Sequence, residues 1–180
     1  MIRHIHILGA SGSGTTTLGC ALEKELGYRH FDTDSYFWLP SWPPFQNIRP
    51  AEDRRKILEQ DIHTADKWVL SGSLCGWGDV FIPSFELVVF LWLPGDIRLS
   101  RLIERERQRY GKEALEAGGE MYEASKEFIQ WASRYDDGGM EIRSKTLHKA
   151  WLDGLNCPVL SLEGDLSVEE RVSAVKELLY

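Results

Sequence analysis

The chain has 180 residues, 43% hydrophobic and 27% charged, with 16 glycines and a formal net charge of -7. These proportions fit one ordinary globular domain, long enough to bury about 70% of its unfolded surface without disulfides or a structural metal. The acidic balance argues against non-specific nucleic-acid binding, which needs a basic face. No stretch approaches ~18 uninterrupted apolar residues, and residues 1–8 lack an apolar leader with a small-residue cleavage site, so a cytoplasmic protein with no membrane partner is expected. Cys20, Cys75 and Cys157 are far apart, without a CxxC pair, and read as reduced thiols.

Residues 4–8 alternate polar and apolar side chains and run into Gly9, which predicts a strand. Leu18, Ala21, Leu22 and Leu26 carry helical period over 16–26, with Gly27 positioned to close the helix. A second strand is predicted over 28–32, a helix over about 51–65 and a third strand over 68–71. Leu87-Val88-Val89-Phe90-Leu91-Trp92-Leu93 is an unbroken apolar run ended by Pro94-Gly95, the pattern of a strand buried on both faces. Asp96 is positioned to cap a helix to about residue 110. A glycine-interrupted segment at 111–119 and helices over about 120–134 and 140–152 follow. Residues 159–162 form the last predicted strand, and Ser167-Val168-Glu169-Glu170 reads as a capping box opening a final helix. Between the second strand and the next helix lies Leu39-Pro40-Ser41-Trp42-Pro43-Pro44-Phe45, a loop with no helix or strand period. This alternation predicts a single α/β domain with a mostly parallel sheet.

Gly9-Ala10-Ser11-Gly12-Ser13-Gly14-Thr15-Thr16 matches G-x-x-x-x-G-K-[ST] except that threonine, Thr15, stands at the lysine position. Backbone amides of a glycine turn at a helix N-terminus bind phosphate without side-chain charge, and Thr16 can offer its hydroxyl to Mg²⁺. The missing element is the cation that would neutralise phosphate charge during transfer.

With this loop, Arg101-Leu102-Ile103-Glu104-Arg105, Arg134-Tyr135-Asp136-Asp137 followed by Arg143, and Phe31-Asp32-Thr33-Asp34, the chain resembles the adenylate kinase-like group of P-loop proteins over essentially its whole length. The resemblance implies a three-layer P-loop fold, a five-stranded parallel sheet flanked by helices. It also implies an acceptor-binding insert at about 34–66 and a small helical lid at about 111–139. It further implies ATP and Mg²⁺ as cofactors and a small acceptor, a nucleotide or a hydroxylated metabolite. Gly9, Ser11, Gly12, Ser13, Gly14, Thr15, Thr16 and Thr17 would hold phosphates, and Arg101 would stack on adenine. Arg105 would reach the phosphates, while Arg134 and Arg143 would stabilise the transferring group.

Seven of the chain's 13 arginines lie at 98–143, and Arg98, Arg101, Arg105 and Arg109 share a helical face suited to clamping phosphates. A solvated face with Glu104–Arg107 and Glu106–Arg109 pairs is the alternative. Asp32 and Asp34, two apart, would point the same way from a strand end, to orient a hydroxyl or hold magnesium-bound water; an Asx turn is the alternative. After the third strand, Ser71 to Asp79 lacks the Asp-Gly-aromatic-Pro-Arg run of adenylate kinases. Gly72, Ser73 and Trp77 from this turn, with Tyr36, Trp38 and Arg49, are candidate acceptor contacts, although aromatic residues there equally serve packing. The histidines show no metal spacing. A nucleotide-binding regulatory protein without transfer is the alternative function, resting on Thr15.

Overall fold

The computed structural model describes residues 2–179. Five strands, β1 (His4–Gly9), β2 (Arg29–Asp32), β3 (Trp68–Ser71), β4 (Leu87–Trp92) and β5 (Val159–Glu163), form one sheet in the order β2-β3-β1-β4-β5. Every pairing is parallel. The helices are α1 (Thr15–Leu26), α2 (Thr33–Phe37), α3 (Ala51–Ile62), α4 (Gly95–Tyr110), α5 (Lys112–Leu115), α6 (Tyr122–Ser133), α7 (Lys145–Asp153) and α8 (Val168–Leu179), with a 3-10 turn at Asp79–Ser84. Among the described residues no helix is long and apolar enough to cross a membrane.

The sheet carries apolar side chains on both faces. Ile5, Ile7, Val89 and Leu91 pack against Leu18 and Leu22 of α1 and Val172 and Val175 of α8. On the opposite face, Leu70 and Val88 meet Leu58 of α3 together with Phe81 and Phe85. β4 divides its alternating residues between these two cores, which accounts for its unbroken apolar run. Parallel strands place all their carboxyl ends on one edge, and β1 lies between β3 and β4 where the chain order reverses, so the loop after β1 opens at a switch point.

Local boundaries differ from expectation at several helix starts. α4 starts at Gly95 after Pro94, and Asp96 lies in the first turn rather than at the cap. The last inter-strand helix begins at Lys145, not near 140, because the Ser144 hydroxyl accepts the Leu147 amide at 3.0 Å and fixes the start there. The short helix α2 follows β2 immediately, its N-terminus capped by the Asp32 carboxylate, which accepts the Asp34 amide at 2.9 Å. At the last helix the reciprocal box is formed: the Ser167 amide donates to Glu170 at 2.7 Å and the Glu170 amide donates to Ser167 Oγ at 3.2 Å.

Candidate active site

The loop between β1 and α1 is wound tightly. Gly12 and Gly14 have φ of 81° and 93°, and a Cβ on Gly12 would lie 2.8 Å from the Arg98 carbonyl oxygen. Only glycine tolerates both the left-handed backbone and that approach. The Ser13 amide donates to the Ala10 carbonyl at 3.1 Å, and helix bonding starts with the Leu18 amide on Gly14. No side chain caps the N-terminus of α1, so its first-turn amides are open to an anion.

Thr16, on the first turn of α1, donates its hydroxyl proton to Asp32 Oδ2 at 2.6 Å. The same carboxylate oxygen accepts a long bond from Ser71 Oγ, 3.4 Å away, and Ser71 Oγ lies 2.8 Å from His30 Nε2. β2 and β3 align Asp32 with Ser71 in register, which brings these groups together. A hydroxyl and a carboxylate at a phosphate loop are oxygen donors of the kind Mg²⁺ takes while retaining waters and phosphate ligands.

Asp34 does not project by strand alternation from Asp32, because the strand ends at Asp32 and Asp34 belongs to the first turn of α2. Its side chain is reachable from solvent yet surrounded by protein. That environment and the neighbouring Asp32 charge push its carboxyl above the usual range, opposed by the cations of Arg143 and Arg105 and by a side-chain hydrogen bond from Trp38. A carboxyl raised in this way is a better proton acceptor than an ordinary carboxylate.

The other arginines have different surroundings. Arg105 lies over the Phe128 ring at 5.9 Å and Arg143 over Trp131 at 5.6 Å, so both lean on α6. Arg134 is exposed and paired with Glu141 at 3.8 Å. Arg101 pairs with Asp165 at 2.6 Å and, with Gly14, Thr17 and Arg171, lines a cavity of about 380 Å³. Arg98, in contrast, is wholly buried: its Nε donates to the Leu93 carbonyl and its Nη2 to Asp136. It therefore ties α4 to the segment carrying Asp136 and is removed from any phosphate-clamping stripe. Arg109 pairs with Glu106 and faces the Phe45 and Tyr110 rings.

On the acceptor side, several named residues are engaged inside the fold. Tyr36 is buried and donates to Asp61 at 2.9 Å; Arg49 donates to the Tyr36 and Trp38 carbonyls. Trp77 is buried with its indole N–H on the Ser73 carbonyl at 3.1 Å. Gly72, at φ 109°, leaves no room for a Cβ against Thr33. Ser73 is buried 3.5 Å from His148 Nε2, and His148 Nδ1 meets the Tyr135 hydroxyl at 2.9 Å. Sequence reasoning missed Arg171, whose side chain reaches the Ser13 carbonyl, as well as the Trp38 bond to Asp34. The capping box marks the helix that carries Arg171, but nothing in the sequence sets where that guanidinium points.

The family described as an AAA domain matches residues 5–127. The chain belongs to that family. As an AAA-domain protein of adenylate kinase-like form, it is 56% identical over 179 residues to the protein YqaC of Bacillus subtilis (strain 168), covering 99% of this chain and 98% of that one. Its fold is similar to a shikimate kinase from Bacteroides thetaiotaomicron, with a TM-score of 0.59, 21% identity and 99% of each chain covered. It is likewise similar to a deoxyadenosine kinase from M. mycoides with bound dATP, with a TM-score of 0.59, 13% identity and 98% of each chain covered. These likenesses establish the fold, which is that of P-loop kinases.

Proposed function

We propose that this AAA-domain protein is an ATP-dependent kinase that transfers the γ-phosphoryl group to a hydroxyl of a small acceptor, a nucleotide or hydroxylated metabolite. The observation that carries the reading is the placement of Asp34, in the first turn of α2, next to the Thr16–Asp32 pair at the glycine loop, with Arg105 and Arg143 near enough for their charges to act on its carboxyl. The loop amides seat the phosphates, and Arg105 and Arg143 compensate the charge that grows on the transferring group. Asp34 orients the acceptor hydroxyl and accepts its proton as the oxygen attacks phosphorus. Thr16 and Asp32 are the residues that would hold Mg²⁺, which when bound supplies charge neutralisation across the phosphates. The insert at 34–66 would carry the acceptor, and residues 111–139 would close over ATP.

Thr15 favours a second reading, a regulatory nucleotide binder without transfer. A coupled ADP-release screen over nucleosides, nucleoside monophosphates, polyols and hydroxy acids distinguishes the two. Acceptor-dependent ADP release that vanishes in Asp34→Asn supports the kinase. ATP binding with no release for any acceptor supports the binder.

A further inference from the structure

The glycine loop has no lysine, yet a buried cation stands behind it. Arg171, in the first turn of α8, is 5% exposed, and its Nη1 donates to the Ser13 carbonyl oxygen at 2.8 Å. The same Nη1 lies 2.9 Å from where a Cβ on Gly14 would be, so the guanidinium abuts the backbone at the second glycine of the motif. Its Nε is buried without a hydrogen-bond partner among the described residues. The carboxylate whose charge reaches it, Asp165, is already paired with Arg101 at 2.6 Å. A guanidinium buried with an unused donor is costly unless something at the site answers its charge.

The contact has a defined effect on the loop. In a trans peptide the carbonyl and the following amide point in opposite directions. Holding the Ser13 oxygen against Arg171 therefore turns the Gly14 N–H the other way, leaving it free for an anion at the uncapped α1 terminus. Without this tether, Gly14, with its left-handed φ, could rotate the peptide and present a carbonyl dipole of the wrong sign. The charge of Arg171 also abuts the Ser13–Gly14 peptide of the loop.

We propose that Arg171 substitutes from behind for the missing lysine at Thr15, as a positioning residue that orients the Ser13–Gly14 peptide and supplies fixed positive charge to bound phosphates. The inference rests on nucleotide binding at the loop, as in the proposed function, but its test is separable. Binding of ATP, inorganic tripolyphosphate and adenosine is measured by calorimetry for the wild type, Arg171→Met, Arg171→Lys, Thr15→Lys and the Arg171→Met/Thr15→Lys double variant, with thermal unfolding as the check on folding.

Arg171→Met is expected to weaken ATP and tripolyphosphate at least about tenfold, the scale of one charge-assisted hydrogen bond, while leaving adenosine unchanged. Arg171→Lys keeps part of the affinity and serves as the readout if the methionine variant does not fold. Thr15→Lys is expected to raise ATP affinity at least about tenfold in the Arg171→Met background and by much less in the wild type, because the two cations answer the same charge. Equal losses for adenosine and ATP, or equal gains from Thr15→Lys in both backgrounds, overturn the proposal while the kinase reading stands. A wild type that binds neither ATP nor tripolyphosphate overturns both.

Discussion

Two histidines buried in the core, His6 on the central strand and His148 on α7, are expected to make stability fall steeply in mild acid. His6 and His148 are both fully buried, His6 with its Nδ1 on the Leu70 carbonyl at 2.9 Å and His148 between Tyr135 and Ser73. Burial lowers His6 from 6.5 to about 4. Burial, then the charge of Arg143, then His6 lowers His148 from 6.5 to about 3. In the unfolded chain both titrate near 6.5, so at pH 5 unfolding takes up almost two protons that the native state refuses. A depressed native value gives stability that is complete above the unfolded pKa and lost as pH falls below it. At about 1.4 kcal/mol per unit, each histidine costs about 2 kcal/mol at pH 5 relative to pH 7.5 and the pair about 4. A typical domain has only about 5–15 kcal/mol in all. His30, also lowered by burial, adds the same sign, while the raised Asp34 carboxyl offsets part of the loss nearer its own titration. Urea unfolding at pH 7.5, 6 and 5 measures the slope, and His6→Gln should remove about half of the two-histidine contribution whatever its effect at pH 7.5. A loss under about 1 kcal/mol between pH 7.5 and 5 refutes the reasoning.

Asp34→Asn is expected to reduce turnover by about 10²–10⁴-fold with ATP affinity intact, and the wild-type rate should fall on the acid side at a pH above the usual carboxylate range, since the carboxylate form must accept the proton; steady-state kinetics across pH checks both. Thr16→Val, which removes the hydroxyl 2.6 Å from Asp32, should raise the magnesium needed for half-maximal rate by about tenfold in a metal titration. Gly12→Ala places a methyl 2.8 Å from the Arg98 carbonyl at φ 81°, and should cost about 1–3 kcal/mol in denaturant unfolding and abolish ATP binding. Hydrogen exchange over 111–139 should slow when a non-hydrolysable ATP analogue saturates the protein, and unchanged exchange counts against closure of that segment.

The sequence by itself determined the features that rest on near neighbours. Glycine spacing dictates the loop after β1, the apolar run of β4 requires cover on both faces, Gly27 closes α1 through its left-handed backbone, and the Ser167–Glu170 box opens α8, because each depends on residues within a turn or a strand. Only the tertiary structure decided what each side chain meets. The spacing of Arg98, Arg101, Arg105 and Arg109 gives them a common helical face, but whether a guanidinium finds solvent, a carboxylate or the core depends on elements remote in the chain. Arg98 meets Asp136, Arg101 meets Asp165, and Arg171 reaches Ser13 across 158 positions. Likewise the start of α2 at Thr33 reorients Asp34, since the strand ends at the Asp32 cap, two residues short of Asp34. Helical and strand periods describe one element at a time, whereas the candidate site is built from residues of several elements at the carboxyl end of the sheet.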